Sequence, residues 1–205
     1  MLNYLAAALP AGTSAAARLL ALQCALRMNT KMQVRLTRGM LRSLGLNATQ
    51  GPWRELEHAR WLRTVPGNTS VEAAELLDAA LLDQAPARPD RMCAADWALR
   101  ASSPSTAGTV EPLRQLASVY LAVHAEPEAG KGVSEADQMA RSCGVGLAAL
   151  PTLLAQLTAT GLLKSWQICS NSGDLHWTLA RGKEIHDTSH QRATAGSGGP
   201  FAGRP

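Results

Sequence analysis

The sequence predicts a mainly α fold with small β-hairpins, built from two copies of one unit in tandem. Three observations carry this expectation. Val34 to Leu46 (VRLTRGMLRSLGL) aligns without a gap to Val133 to Val145 (VSEADQMARSCGV), matching Met40 with Met139, Arg42 with Arg141, Ser43 with Ser142 and Gly45 with Gly144. In each copy a second apolar helical segment follows and runs into a strand-like stretch, Leu62 to Val65 in one and Leu162 to Trp166 in the other. The composition, 46% hydrophobic but only 4% aromatic over 205 residues, describes an aliphatic, Ala- and Leu-rich chain with room for two modest cores.

Residues 1–14 read as a short apolar lead-in containing Pro10 and Gly12. Ala15 to Met28 is a helix with Leu19, Leu20, Leu22, Cys24 and Leu26 on its apolar face and Arg18 and Arg27 outside it. Asn29 to Gln33 breaks that pattern. Thr37 caps a helix reaching about Leu44 and closed by Gly45. Asn47 or Thr49 caps the third helix, with Pro52 in its first turn and Trp53, Leu56, Ala59 and Trp61 mainly on one face. Leu62 to Val65 is the first strand of a hairpin that turns at Pro66-Gly67-Asn68. Ser70 and Val71 suit a short return strand, which a helical pattern resuming at Val71 or Glu72 and running to Leu82 would curtail.

Asp83 to Thr109 is a partly ordered Pro/Ser linker in which Arg91 to Arg100 is helix-compatible. In the second unit Glu111 to His124 forms a helix with Leu113, Leu116, Val119, Tyr120 and Val123 inward, followed by a loop from Ala125 to Gly132. Ser134 caps the next helix, Gly144 ends it, and Leu147 to Thr160 forms the third with Pro151 in its early part. Trp166 to Ile168 and Leu175 to Leu179 alternate in period two around Ser170 to Asp174, a strong hairpin signal. Beyond about His186 the chain is polar and Gly/Ser-rich and reads as disordered. The divisions are therefore 1–82, 83–109, 110–185 and 186–205.

The net charge of +4 hides an asymmetry. Residues 1–65 hold nine Lys or Arg against two acids, for +7; residues 66–110 net −3, and residues 111–205 are neutral. Only the first unit has the excess that a phosphate backbone rewards through counterion release.

The first unit resembles the winged helix-turn-helix superfamily, as in MarR- and GntR-like bacterial regulators, over about Ala15 to Val71. The second resembles it over about Val110 to Leu179, and tandem winged-helix plasmid replication initiators share this arrangement. Trp53 to Arg63 (WRELEHARWLR) looks like the superfamily's recognition helix running into the wing, with Trp53, Leu56, Ala59 and Trp61 at core positions. Arg60-Trp61 departs from the commoner glycine followed by a small aliphatic.

The resemblance implies that the N-terminus of this helix enters a major groove. Asn47, Thr49, Gln50 and Arg54 would then reach base edges, since amides pair with adenine and arginine with guanine. Lys31, Arg35, Arg38 and Arg42 would hold phosphates, and Arg63 and Asn68 would touch the flanking backbone from the wing. A basic helix face is more often merely solvated; here it coincides with the helix-turn-helix outline. The corresponding helix of the second unit (GLAALPTLLAQLTAT) is neutral and Leu-rich, which favours a dimer or partner surface carried by Leu150 and Leu154.

Other classes are disfavoured. The five histidines show no metal-ligand spacing, and neither a phosphate-binding glycine loop nor a nucleophile elbow occurs, so catalysis is not expected. Cys24, Cys93, Cys143 and Cys169 are far apart, which argues against a zinc site or disulfide framework and for a reducing, cytoplasmic setting. No Lys or Arg precedes Arg18, and no apolar run is long enough to span a bilayer. The expectation is a cofactor-free, nucleoid-associated DNA-binding protein, foremost a transcriptional regulator acting as a homodimer. A plasmid or phage replication or partition protein is the first alternative. A non-catalytic adaptor of a chromosome-organising complex is the second.

Overall fold

The computed structural model describes residues 1–46, 50–65, 71–101 and 111–180. Asn47, Thr49, Asn68, the Ser-Ser-Pro-Ser-Thr run and the C-terminal tail lie outside the described residues. The chain begins with α1 (Leu2–Ala8) and α2 (Ala15–Arg27). It continues through β1 (Gln33–Thr37), α3 (Arg38–Ser43), α4 (Gly51–His58), β2 (Leu62–Val65) and β3 (Val71–Leu76). After α5 (Ala80–Gln84) and α6 (Arg88–Arg100), the same order returns. It reads α7 (Pro112–Val123), β4 (Lys131–Glu135), α8 (Ala136–Cys143), a 3-10 turn at Leu147–Ala149, α9 (Leu150–Ala159), β5 (Leu163–Ile168) and β6 (Asp174–Leu179).

Each half holds one antiparallel three-stranded sheet with its last strand in the middle, β1-β3-β2 and β4-β6-β5. The sequence repeat is thus a repeat of topology. Gly45 and Gly144 both close their helices at φ 69°. In each case the amide after the glycine reaches back five residues, Leu46 to the Leu41 carbonyl at 2.9 Å and Val145 to that of Ala140 at 3.0 Å. The ungapped alignment fails in the preceding strands, however. Val34 is buried but Val133, its aligned partner, is 58% exposed, and Gly132 takes the inward position instead. A slip of one residue exchanges the faces of a strand. Gly132 is required there because a Cβ would stand 2.1 Å from the Trp177 ring.

Several elements differ from the sequence reading. Neither β1 nor β4 was anticipated, and Ser134 lies within β4 instead of capping α8. Val71 to Leu76 forms the central strand β3, not the start of a helix, and helix resumes only at Ala80. Glu72, Ala73, Ala74 and Glu75 have helical preference, but pairing on both sides, Val34 with Ala74 and Arg63 with Glu75, overrides it. Val123, expected inside, is 54% exposed.

Arg18 provides the largest correction. It is buried, because α2 has no solvent face: Ala17 to Leu26 are all buried against α4, α6, α7 and β1. Its guanidinium donates to the carbonyls of Thr13 (3.1 Å), Pro10 (2.9 Å) and Leu5 (3.4 Å), and desolvation lowers its pKa.

The expected linker is also more structured than its composition implied. Arg91 on α6 donates to the Ala25 and Met28 carbonyls at 3.2 and 3.1 Å, satisfying the end of α2. Asp96 pairs with Arg27 at 2.6 Å. Helix α1 joins the halves: Leu2 and Leu5 are buried, the helix packs on α8, and Tyr4 Oη donates to Asp78 at 2.5 Å. With α2 against α7, the buried apolar side chains of both halves form one continuous core. Among the described residues, no single helix is long and apolar enough to cross a membrane.

Candidate nucleic-acid interface

Helix α4 buries Pro52, Trp53 and Leu56 and turns Arg54 and His58 outward. Two carboxylates lie on the same helix, and both are folded back onto the protein. Glu55 accepts from Ser14 N at 2.8 Å and Ser14 Oγ at 2.9 Å, at the start of α2. Glu57 accepts from Thr64 Oγ1 at 2.5 Å and Thr64 N at 3.0 Å, which holds its carboxyl below the ordinary range. What remains outward is Gln50, which accepts from Arg54 Nη2 at 3.1 Å, together with Arg54 and His58. The His58 Nδ1–H donates to the Arg54 carbonyl at 2.7 Å, leaving Nε2 to solvent.

Lys31, Arg35, Arg38 and Arg42 are all exposed. Lys31 stands in the turn before β1, shaped by Asn29 Oδ1 accepting from the Lys31 and Gln33 amides, both at 2.9 Å. Arg35 points outward from β1 by the strand's alternation, between buried Val34 and Leu36. Arg38 and Arg42 are one turn apart on α3, whose start is capped by Thr37 Oγ1 accepting from Met40 N. None of these four, nor Arg54, has an ion-pair partner among the described residues. Arg63 does: it pairs with Glu75 at 2.6 Å across β2 and β3, which lowers its value for a phosphate.

The corner between α4 and β2 explains the departure at Arg60. This residue is in the left-handed region at φ 54°, where the second unit has Gly161 at φ 75°. The backbone therefore turns alike in both halves, and in the first an arginine carries the strain.

The predicted partner surface of the second unit is not a surface. Leu150 and Leu154 are both 0% exposed, as is Leu157, because α9 packs its whole leucine row against α7 and β5. Its exposed side chains include Thr152, Ala155, Gln156 and Ala159, none charged.

Sequence reasoning missed one component. An open cleft of about 510 Å³ runs beside α4. One wall is the turn holding Pro10, Gly12 and Thr13; the other is the α4 side at Gly51, Arg54, Glu55, His58 and Ala59. The only local signal was the Pro10 and Gly12 break, and what fixes the turn is Arg18, bonded to the Pro10 and Thr13 carbonyls. No group of three or more potential metal ligands occurs among the described residues. No protein-family profile matches the chain, nor does any curated protein or solved structure.

Proposed function

We propose that the chain is a DNA-binding protein of two winged-helix units, in which the first reads the duplex and the second supports it. The helix–strand–helix–helix–hairpin order in each half, with the returning strand central, is the arrangement that reading requires. In it α4 is the recognition helix, Gln50 and Arg54 reach base edges, and Lys31, Arg35, Arg38 and Arg42 grip phosphates.

The observation that carries the reading is the treatment of charge on α4. Its two carboxylates, which would repel a duplex, accept hydrogen bonds from Ser14 and Thr64, while its arginine makes no ion pair among the described residues. A transcriptional regulator that blocks or recruits polymerase by occupying its site is the role such a surface serves best. The homodimer expectation loses the leucines on which it rested. The neutral outer face of α9 favours, as a second reading, an adaptor in which that face meets a protein partner.

The test is selection of duplexes from a random library with the intact protein, followed by footprinting of the winners. The reading expects a recurring sequence and a protected site. A library that emerges unenriched would exclude sequence-specific binding and leave the adaptor.

A further inference from the structure

We propose that the free edge of strand β5 docks the same strand of a second copy of this chain, the two pairing antiparallel about Gln167. Strand β5 is an outer strand of the sheet β4-β6-β5. Just past its end, Cys169 N donates to the Asp174 carbonyl at 2.8 Å, and bonded pairs alternate along an antiparallel ladder. In the observed register Gln167 is therefore bonded to His176 and Ser165 to Thr178. Trp166 and Ile168 turn their N–H and C=O groups away from β6, and among the described residues nothing else bonds to them.

The other outer strands are engaged. On β2 the outward N–H of Thr64 goes to Glu57 at 3.0 Å. On β1 the N–H and C=O of Gln33 are both taken by Asn29, at 2.9 and 2.8 Å. On β4 the Lys131 carbonyl accepts from Glu126 N at 2.7 Å. Glu57 stands three residues before the corner at Arg60; three before the matching Gly161 stands Thr158, whose hydroxyl donates to the Leu154 carbonyl at 2.9 Å. The second half thus lacks the carboxylate that closes this edge in the first, and an open row of donors and acceptors is a template for another strand.

The strand that fits is β5 itself. Trp166 and Ile168 are half-buried on its inner face, against the core, while Ser165 and Gln167 are exposed on its outer face. Two-fold pairing about Gln167 sets Trp166 beside the partner's Ile168, apolar on apolar, and satisfies the outward groups of both. A two-fold contact also brings charges against their own kind, and Ser165 to Gly173 carries none. The bulge at Lys164 ends the open stretch, so the contact is short and the dimer weak. This interface does not rest on the DNA reading, and the two stand or fall separately.

Sedimentation velocity of the intact protein, from micromolar to millimolar concentration, tests the pairing. A dimer should appear as concentration rises, and the Trp166 and Ile168 N–H groups should then exchange with solvent several-fold more slowly. Gln167→Lys and Gln167→Glu should each weaken association by roughly tenfold at low salt, because each sets like charges face to face across the axis. Gln167 is exposed, so both variants should melt with the parent. An equal mixture of the two should restore association, since only the mixed pair opposes unlike charges. A parent that stays monomeric at millimolar concentration would overturn the proposal and leave the edge to an extended segment of another protein. Association that neither variant weakens, or weakening that the mixture does not reverse, would place the contact elsewhere and overturn it equally.

Discussion

The Arg18 guanidinium of the first half lies against Gly144 of the second, so closely that a Cβ on Gly144 would stand 2.8 Å from Nε. The same Cβ would be 2.6 Å from the Thr13 carbonyl oxygen, and Gly144 is in the left-handed region at φ 69°. The turn closing α8 and the turn preceding α2 are thus built around one buried side chain. Gly144→Ala should lose about 2–5 kcal/mol, the sum of the left-handed penalty and an overpacked contact. Gly161→Ala, at φ 75° with nothing within 4 Å, should lose only about 1–2 kcal/mol. Urea unfolding of the two variants checks this, and equal losses would mean that the Arg18 contact carries no weight.

A shared core has a consequence for dissection. Helix α2 is buried on every side, and α6 and α7 cover part of it. A fragment ending at residue 84 would expose that apolar surface and strand the α2 carbonyls that Arg91 satisfies. Such a fragment should lack fixed tertiary structure by near-ultraviolet dichroism, while residues 1–180 keep it. A cooperatively folded fragment would show that the halves are independent after all.

Leu150→Glu and Leu154→Glu should unfold the protein rather than release monomers from a dimer. Each places a charge where exposure is 0%, at a cost of about 4 kcal/mol or more against a typical stability of about 5–15 kcal/mol. Light scattering and thermal melts distinguish the outcomes: folded, soluble monomers from a dimeric parent would restore the interface.

Arg60→Gly should stabilise the chain, because an arginine at φ 54° carries a conformational cost of about 1–2 kcal/mol that glycine lacks. Glycine's greater freedom when unfolded takes back part of this, so a gain of about 0.5–1 kcal/mol is the expected reading. A lower melting temperature in the variant would mean that the arginine side chain stabilises the corner through its own contacts.

The parts of the fold legible in the sequence are those whose causes are local. Thr37, Gly45 and Gly144 mark helix ends through caps formed within a few residues, and the β5–β6 hairpin announces itself by alternation around Gly173. The parts that were not legible depend on distant partners. Strand β1 exists because Val34 and Leu36 meet β3 some forty residues later, and β3 exists against its own helical preference for the same reason. Arg18 carries no sign of burial in its own sequence; three loop carbonyls supply the reason. At the site, Gln50 and Arg54 were readable from helical register, whereas the facing wall at Pro10 to Thr13 depends on Arg18.

The central claim is that the exposed cations of the first half grip a duplex, and the salt dependence of binding tests it most directly. With Lys31, Arg35, Arg38 and Arg42 on phosphates, log affinity of the intact protein should fall against log salt with a slope of roughly −3 to −4. Arg38→Ala should weaken all sequences alike and reduce that slope by about one, whereas Arg54→Ala should cost about 1–3 kcal/mol on the selected site and much less elsewhere. A flat salt dependence, or a slope that neither variant changes, would contradict the account.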